Sequence, residues 1–482
     1  MTAGKRRREL PELIRSGGMN LRQQVELAVR LSIPAILAQV SAVVMQYIDA
    51  SMVGRLGAGE AASIGLVSTT TWLFWGFCSA VGTGFSVQVA HRIGAGDEAG
   101  ARSVLRQALS VTIIFGLAMA AAGLAISGSL PRWLGAGEDI RPGASLYFSI
   151  FALSLPIFQL NHLAGSMLRC SGDMKIPSML NVMMCMLDVL FNFLLIFPSR
   201  EVSLGGLTLT LPGAGMGIAG AAWGTAIAEA VTAAAMMWFL CVKNRALGIT
   251  RESGSFRPTL PCLRRAVQIG FPMGLEHTVM CGAQIVSTII VAPLGTFAIA
   301  ANSFAVTAES LCYMPGHGVA EAATTLVGQS LGAGRPDLMR RFARITVGMG
   351  MVVMTLMGAV MYFGAPTMMS IMTPHPEIIS LGVGALRIEA FAEPMYAASI
   401  VAYGVFIGAG STLVPCLMNF ASMWGVRLTL ALLLAPRYGL SGVWTAMCIE
   451  LCFRGAIFLL RLRCGRWMPQ AKEAAAPATD YK

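Results

Sequence analysis

The chain has 482 residues, of which 55% are apolar and 12% charged, with a mean hydropathy of +0.67. That is too little charge to clothe a soluble protein of this size, so an integral membrane protein is expected. The net charge of +11 suggests a nucleic-acid partner only until its placement is read.

The first 26 residues are polar and basic, with Lys5, Arg6, Arg7 and Arg8 near the start. The apolar run behind them is too long for a signal-peptide core, so it is expected to stay as a permanent anchor. Runs long enough to cross a ~30 Å hydrocarbon layer then follow at 27–52, 61–90, 104–126, 143–168, 175–198 and 214–242. Six more lie at 264–292, 297–330, 344–364, 378–407, 413–435 and 440–462. Between the fifth and sixth runs, Glu201 to Thr210 alternates around Gly205-Gly206 and predicts a small β-hairpin. When alternate loops are assigned to opposite sides, 28 of the 35 Lys and Arg fall on the side of the N-terminus. This positive-inside bias places both termini in the cytoplasm and makes the basic balance a matter of topology. The expected localisation is the inner (plasma) membrane, with no nucleic-acid partner.

An internal repeat runs through the chain at an offset of 238 residues. Arg55-Leu-Gly-Ala and Ile93-Gly-Ala-Gly96 are answered by Pro293-Leu-Gly-Thr and Leu331-Gly-Ala-Gly334. Pro34 matches Pro272, Arg102 matches Arg340, Arg106 matches Arg344, and Pro156 matches Pro394. Gly172, Pro177 and Asn181 match Gly410, Pro415 and Asn419. Near the end of each half the register shifts, and Gly217-Ile-Ala-Gly220 answers Gly439-Leu-Ser-Gly442. Six spans per half is an even number, so both halves enter from the same side and the repeat is parallel. Such repeats characterise transporters that rock two lobes about a central site. The expected organisation is a basic N-tail (1–26), a first lobe (27–242), a flexible basic connector (243–263), a second lobe (264–463) and a C-tail (464–482).

Asp49-Ala-Ser-Met-Val-Gly-Arg-Leu-Gly57, the two Gly-Ala-Gly turns, Arg169-Cys-Ser-Gly-Asp173 and Gly217-Ile-Ala-Gly-Ala-Ala222 resemble the multidrug and toxic compound extrusion (MATE) family. The resemblance runs from about residue 25 to residue 465. It implies an all-α membrane fold of about twelve helices, in two six-helix lobes around a V-shaped central cavity. It also implies export of cationic or amphiphilic organic compounds in exchange for H⁺ or Na⁺, with no other cofactor; a monomer is expected.

A charge at mid-bilayer costs at least ~2.5–3.5 kcal/mol, so each intramembrane acid needs a reason. The first half holds Asp49, Asp188 and Glu229 in its spans. Asp188 and Asn192 share a helix face, and Asp188 lies ~15 Å from the outer end of its span at Pro198. Asp49 also lies toward the outer end of its helix. Asp49, Asp188 and Asn192 are therefore the candidate H⁺ or Na⁺ coupling site. The resemblance points to the same three positions and adds Thr225. One branch of the family has Asn before Asp on the fifth helix, whereas this chain has Asp188 before Asn192. The repeat puts Ser287 and Val426 opposite the two aspartates, an asymmetry that favours a functional role over packing.

The second half holds Glu276, Glu309, Glu321, Glu389 and Glu393 in its spans. Glu276, Glu389 and Glu393 are candidate substrate or proton contacts. Glu389 and Glu393 are expected on one helix face ending at Pro394, with Arg427 at a depth to neutralise Glu389. Where one branch of the family carries acids in helices seven and ten, this chain has Met280 and Tyr396. His162, His277 and His317 are isolated and read as cavity or core residues, and no metal site is expected.

There is no GxxxxGK[ST] motif for an ATP motor, and no HExxH or HxxxH for a membrane-embedded enzyme. A flippase for a lipid-linked precursor is the nearer rival. It calls for arginines in the cavity, whereas the intramembrane charges here are mainly acidic, which suits cations.

Overall fold

The computed structural model describes residues 10–16, 18–204, 207–251 and 254–468. A short helix α1 (Leu10–Ser16) precedes the membrane helices. The first lobe comprises α2 (Leu21–Gly54), α3 (Ala58–Ala95) and α4 (Glu98–Ser127), then the short α5 (Leu130–Trp133). It continues with α6 (Arg141–Cys170), α7 (Lys175–Ile196), the strands β1 (Pro198–Leu204) and β2 (Leu207–Ala214), and α8 (Ile218–Trp238). The second lobe comprises α9 (Leu260–Val291), α10 (Thr296–Gly332), α11 (Pro336–Met372), α12 (Pro376–Glu389), α13 (Glu393–Gly408), α14 (Leu413–Phe420) and α15 (Leu428–Cys464). β1 and β2 pair antiparallel, with Glu201 opposite Thr210, at the place where the sequence predicts a hairpin. Its Gly205-Gly206 turn lies outside the described residues, as do residues 1–9 and 469–482 of the two tails.

Nine helical stretches among the described residues pass a length and hydropathy test for crossing a membrane, and a tenth is formed by the bent pair α12 and α13. One of the nine, Leu413–Cys464, is 52 residues long, about 78 Å at 1.5 Å per residue and far beyond one crossing. It breaks at Gly439, where φ +58° and ψ −139° leave helical geometry. α10 is 37 residues long and is set apart from the nine by its polar residues, Glu309, His317 and Glu321 among them. With Leu413–Cys464 taken as two spans and α10 added, the described residues hold twelve candidate spans.

The repeat is visible in the backbone. Gly57 and Gly295, Gly96 and Gly334, Gly172 and Gly410, and Gly217 and Gly439 all have positive φ. L side chains seldom adopt that region, so the turns fix where each lobe starts and stops its helices. Within each lobe the helices pack in matching order: α3 contacts α4 and α6, as α10 contacts α11 and α13. Across the lobes α2 packs on α10 and α9 on α3, the pairing a two-fold repeat requires. In hydrocarbon, apolar faces gain little from meeting one another, so close approach through small residues matters more. α8 illustrates this with buried Gly220, Ala221, Ala222, Gly224, Ala226 and Ala228.

The end that carries both α1 and the C-terminus of α15 is closed by contacts between lobes. Gln329 Nε2 donates to Cys170 O at 2.8 Å, His91 Nε2 to Gly408 O at 2.8 Å, and Gln88 Nε2 to Cys262 O at 3.2 Å. Arg169 and Glu321 form an ion pair at 3.6 Å, and Gln39 from α2 also donates to Glu321 at 3.3 Å. The connector is pinned rather than free: Asn244 donates to Ser171 Oγ at 3.1 Å, and the Thr259 amide to Gln107 Oε1 at 2.8 Å. Its residues 252–253 lie outside the described residues.

Candidate functional site

α2, α7 and α8 bring the predicted first-lobe residues together. Asn192 Nδ2 donates to Asp49 Oδ1 at 3.0 Å and to Asp188 Oδ2 at 3.1 Å. Asp188 is 0% exposed and Asn192 1%. The two carboxyl groups are close enough to act on each other's charge, and Thr225, whose hydroxyl donates to Ala221 O at 3.2 Å, stands near Asp188. Asp188 Oδ1 and Asn192 Oδ1 are buried without a hydrogen-bond partner. A buried polar oxygen left unpaired is costly, so this cluster has acceptor capacity to spare. Such a set of oxygens is suited to one added positive charge, a proton or a small monovalent cation.

The structure adds residues that sequence reasoning left out of the set. Asn161 Nδ2 from α6 donates to Glu229 Oε2 at 2.5 Å. Glu229 lies one turn from Thr225 on α8 and close enough to Asp188 to act on its charge. Tyr147 of α6 lies in the field of both aspartates. The i, i+4 spacing of Thr225 and Glu229 was a usable signal, whereas nothing local marks Tyr147 or Asn161. A pocket of about 300 Å³, lined by Tyr47, Ile48, Ser51, Met52, Arg55, Phe193 and Phe197, flanks Asp49 and Asn192 toward the end opposite the termini.

The cluster depends on close contact between α7 and α8. A Cβ added to Gly224 would collide with the Asn192 side chain and lie 3.0 Å from its backbone nitrogen. Gly224→Ala is therefore expected to displace Asn192 from its two carboxylates, at a packing cost of about 1–3 kcal/mol. Transport in proteoliposomes should fall several-fold with all three acids intact. Wild-type rates in a stably folded variant would show that the amide's position is unimportant.

In the second lobe Glu276 of α9 accepts hydrogen bonds from Tyr403 Oη and, at 2.5 Å, from Asn419 Nδ2. The repeat makes α9 and α14 the counterparts of α2 and α7, so each lobe carries a carboxylate–asparagine pair on the same two helices. The depths differ. Glu276 corresponds to Ala38, eleven residues from Asp49 toward the closed end, or about 16 Å along a helix.

Glu389 and Glu393 depart from the sequence reading. They do not share one continuous helix: α12 ends at Glu389, α13 starts at Glu393 with Pro394 in its first turn, and the two helices bend by 61°. Both are 0% exposed, and all four of their carboxyl oxygens lack hydrogen-bond partners. With buried Glu309 of α10 they line one acidic cluster.

Arg427 forms no ion pair with Glu389 among the described residues. Its guanidinium faces the sulfurs of Met423 and Met447, at 3.7 and 2.5 Å. The buried ion pair is instead Arg454 with Glu450, bidentate at 2.8 and 2.8 Å, and Ser422 Oγ donates to Glu450 at 2.5 Å. This i, i+4 pair was legible in the last span and was overlooked. His162 and His277 pack edge-on against Trp75, with ring centroids at 6.0 and 6.2 Å, and His317 lies beside Tyr313.

Comparison with known proteins agrees with this architecture. A probable multidrug resistance protein NorM of Thermotoga maritima is 23% identical over 445 residues, which span 92% of this chain and 93% of that protein. The multidrug resistance protein PmpM of Pseudomonas aeruginosa is 25% identical over 486 residues, 95% of this chain and 94% of its own length. A crystal structure of MATE in complex with MaD3S superposes with a TM-score of 0.84 at 22% identity, covering 96% of this chain and 98% of that one. The fold is thus almost wholly helical and membrane-embedded, with two repeated six-helix lobes. The model of the MatE family matches residues 34–194 and again 272–433, once in each lobe. With the same family model matched in both lobes, the chain belongs to the MATE family of membrane transporters.

Proposed function

We propose that the chain is a secondary active exporter that moves cationic or amphiphilic organic compounds out of the cell in exchange for H⁺ or Na⁺. The observation that carries this reading is the buried first-lobe cluster, in which one asparagine amide bridges two carboxyl groups. Asp49, Asp188, Asn192 and Thr225 form the coupling-ion site of this proposal. Glu276, Glu389 and Glu393 are its substrate or proton contacts in the second lobe. An ion held at the first cluster would alter how α2, α7 and α8 pack. Since α2 also packs on α10, that change reaches the other lobe.

The names of the NorM and PmpM relatives support multidrug compounds as cargo, and the acidic interior favours cations. In this reading the lobes are 27–242 and 264–463, joined by the connector 243–263. The protein works as a monomer in the inner (plasma) membrane, with the basic tails 1–26 and 464–482 in the cytoplasm.

The test is efflux of a fluorescent lipophilic cation from proteoliposomes under imposed H⁺ or Na⁺ gradients, wild type against Asp49→Asn. Efflux driven by one of the two gradients and lost in the variant is the expected result. Efflux indifferent to both gradients would remove ion exchange as the mechanism. Gradient-driven efflux that survives the substitution would move coupling to Glu276 or to the Glu309–Glu389–Glu393 cluster.

A further inference from the structure

The first turns of α11 and the last turn of α15 meet at the closed end around a cavity of about 270 Å³. Arg340 and Arg344 form one wall, Arg463 stands on the other, and Trp467 lines the pocket with them. Arg340 and Arg344 are four residues apart and share a face of α11. All three arginines are exposed, and none is in an ion pair among the described residues. Arg340 Nε instead donates to Met468 Sδ at 3.3 Å, a weak acceptor. Trp467 is fixed by its Nε1 donating to Leu462 O at 3.0 Å and by packing on Phe406, ring centroids 5.9 Å apart.

The repeat shows what such a pocket accommodates. Arg340 and Arg344 correspond to Arg102 and Arg106 of the first lobe, where the connector covers both. Arg102 donates to Ala246 O at 3.0 Å and pairs with Glu98 at 3.5 Å. A Cβ on Gly254 would fall on the Arg106 guanidinium. These two arginines are 8% and 6% exposed, their guanidiniums met by the chain's own polar groups. At the matching place in the second lobe, Arg340 and Arg344 open onto the cavity.

We propose that the pocket of Arg340, Arg344 and Arg463 binds the phosphate of an anionic phospholipid headgroup from the leaflet at the closed end. The guanidinium fork matches phosphate oxygens two at a time. At about 270 Å³ the cavity holds a headgroup and falls just below the ~300–1,000 Å³ of sites that enclose organic ligands. It opens where two spans end, at headgroup depth, and an indole ring at that level is characteristic of the interface. Leu460, one turn before Arg463 and Cys464, is 60% exposed and offers an apolar track for an acyl chain. The carbonyl end of α15 opposes an anion with roughly half a charge, which three guanidiniums outweigh. Basic pockets between spans on the cytoplasmic side are suited to such headgroups. Inorganic phosphate shares this chemistry, and the experiment separates the two.

Full-length protein is titrated with phosphatidylglycerol, against phosphatidylcholine as reference, and bound lipid is counted by native mass spectrometry. The expected result is one tightly held phosphatidylglycerol, with affinity falling about fivefold for each arginine neutralised. Arg340→Gln with Arg344→Gln then weakens it roughly 25-fold. Arg463→Gln, on the opposite wall, weakens it about fivefold and guards against misfolding of the double variant. Arg341→Gln, outside the pocket lining, leaves it unchanged. Equal phosphatidylglycerol affinity in wild type and both pocket variants overturns the proposal. Displacement of the lipid by millimolar inorganic phosphate, lost in the same variants, overturns the lipid assignment in favour of a soluble anion.

Discussion

Asp188→Asn is expected to reduce gradient-driven efflux at least tenfold, on the order of 1.4 kcal/mol, while leaving the protein folded. The reason lies in how the site is assembled. Asp188 is fully buried, and Asn192 Nδ2 divides its donors between Asp188 and Asp49 at 3.1 and 3.0 Å. Replacing the carboxyl by an amide of the same shape keeps the volume and most of the packing. It removes one of the two acids of the proposed coupling site. Volume-conserving changes in a packed interior are tolerated well, so thermal stability should stay near wild type. A loss of transport with unchanged stability is therefore the diagnostic pair of readings.

The same geometry predicts a rescue. Asp188 and Asn192 sit one turn apart on α7, both within reach of α2 and α8. Exchanging them, as Asp188→Asn with Asn192→Asp, keeps two carboxyl groups and one amide in the same buried volume. The new carboxyl at 192 would stand beside Asp49, and the amide at 188 beside Thr225. Coupled efflux in the exchanged variant is expected to recover to within about tenfold of wild type. Double-variant recovery of this kind separates a shared site from two independent residues. If the exchanged variant transports no better than Asp188→Asn alone, the order of the two residues matters and the site is a directional relay.

Much of this architecture was legible because the repeat is written in glycines. Positions such as Gly57, Gly295, Gly172 and Gly410 take positive φ, so the chain marks its own turns and aligns its halves. Asp49, Asp188 and Asn192 could be grouped because a membrane acid is expensive and two of the three share a helix face. Tyr147 and Asn161 could not. They reach the site from α6 across the lobe, and no local spacing records that distance. The reading of Glu389 and Glu393 as one face failed because it assumed an unbroken helix. Pro394 was the warning, since proline removes a backbone donor and starts helices better than it continues them. Arg427 was assigned to Glu389 by depth alone, but depth does not say which way a guanidinium points. Its neighbours are Met423 and Met447, and the buried ion pair is Glu450 with Arg454.

That pair supplies the prediction with the largest effect on stability. Glu450 is 0% exposed and Arg454 6%, and they meet bidentately within α15. Arg454 also lies over the Tyr396 ring, 5.7 Å from its centroid. Truncating one partner of a buried pair leaves an uncompensated charge and costs about 3–5 kcal/mol, whereas replacing both by apolar groups is often neutral. Glu450→Leu should therefore lower the thermal unfolding midpoint of the purified protein by several degrees. Glu450→Leu with Arg454→Leu should regain most of that loss, since α15 then presents an apolar face to its neighbours. The double variant also tests transport. Glu276 lies within the field of Arg454, so removing the pair takes a positive charge from beside a candidate proton contact. A stable double variant with altered dependence of efflux on pH would assign Arg454 a role in tuning Glu276. A stable double variant with wild-type transport would confine the pair to holding α15 in place.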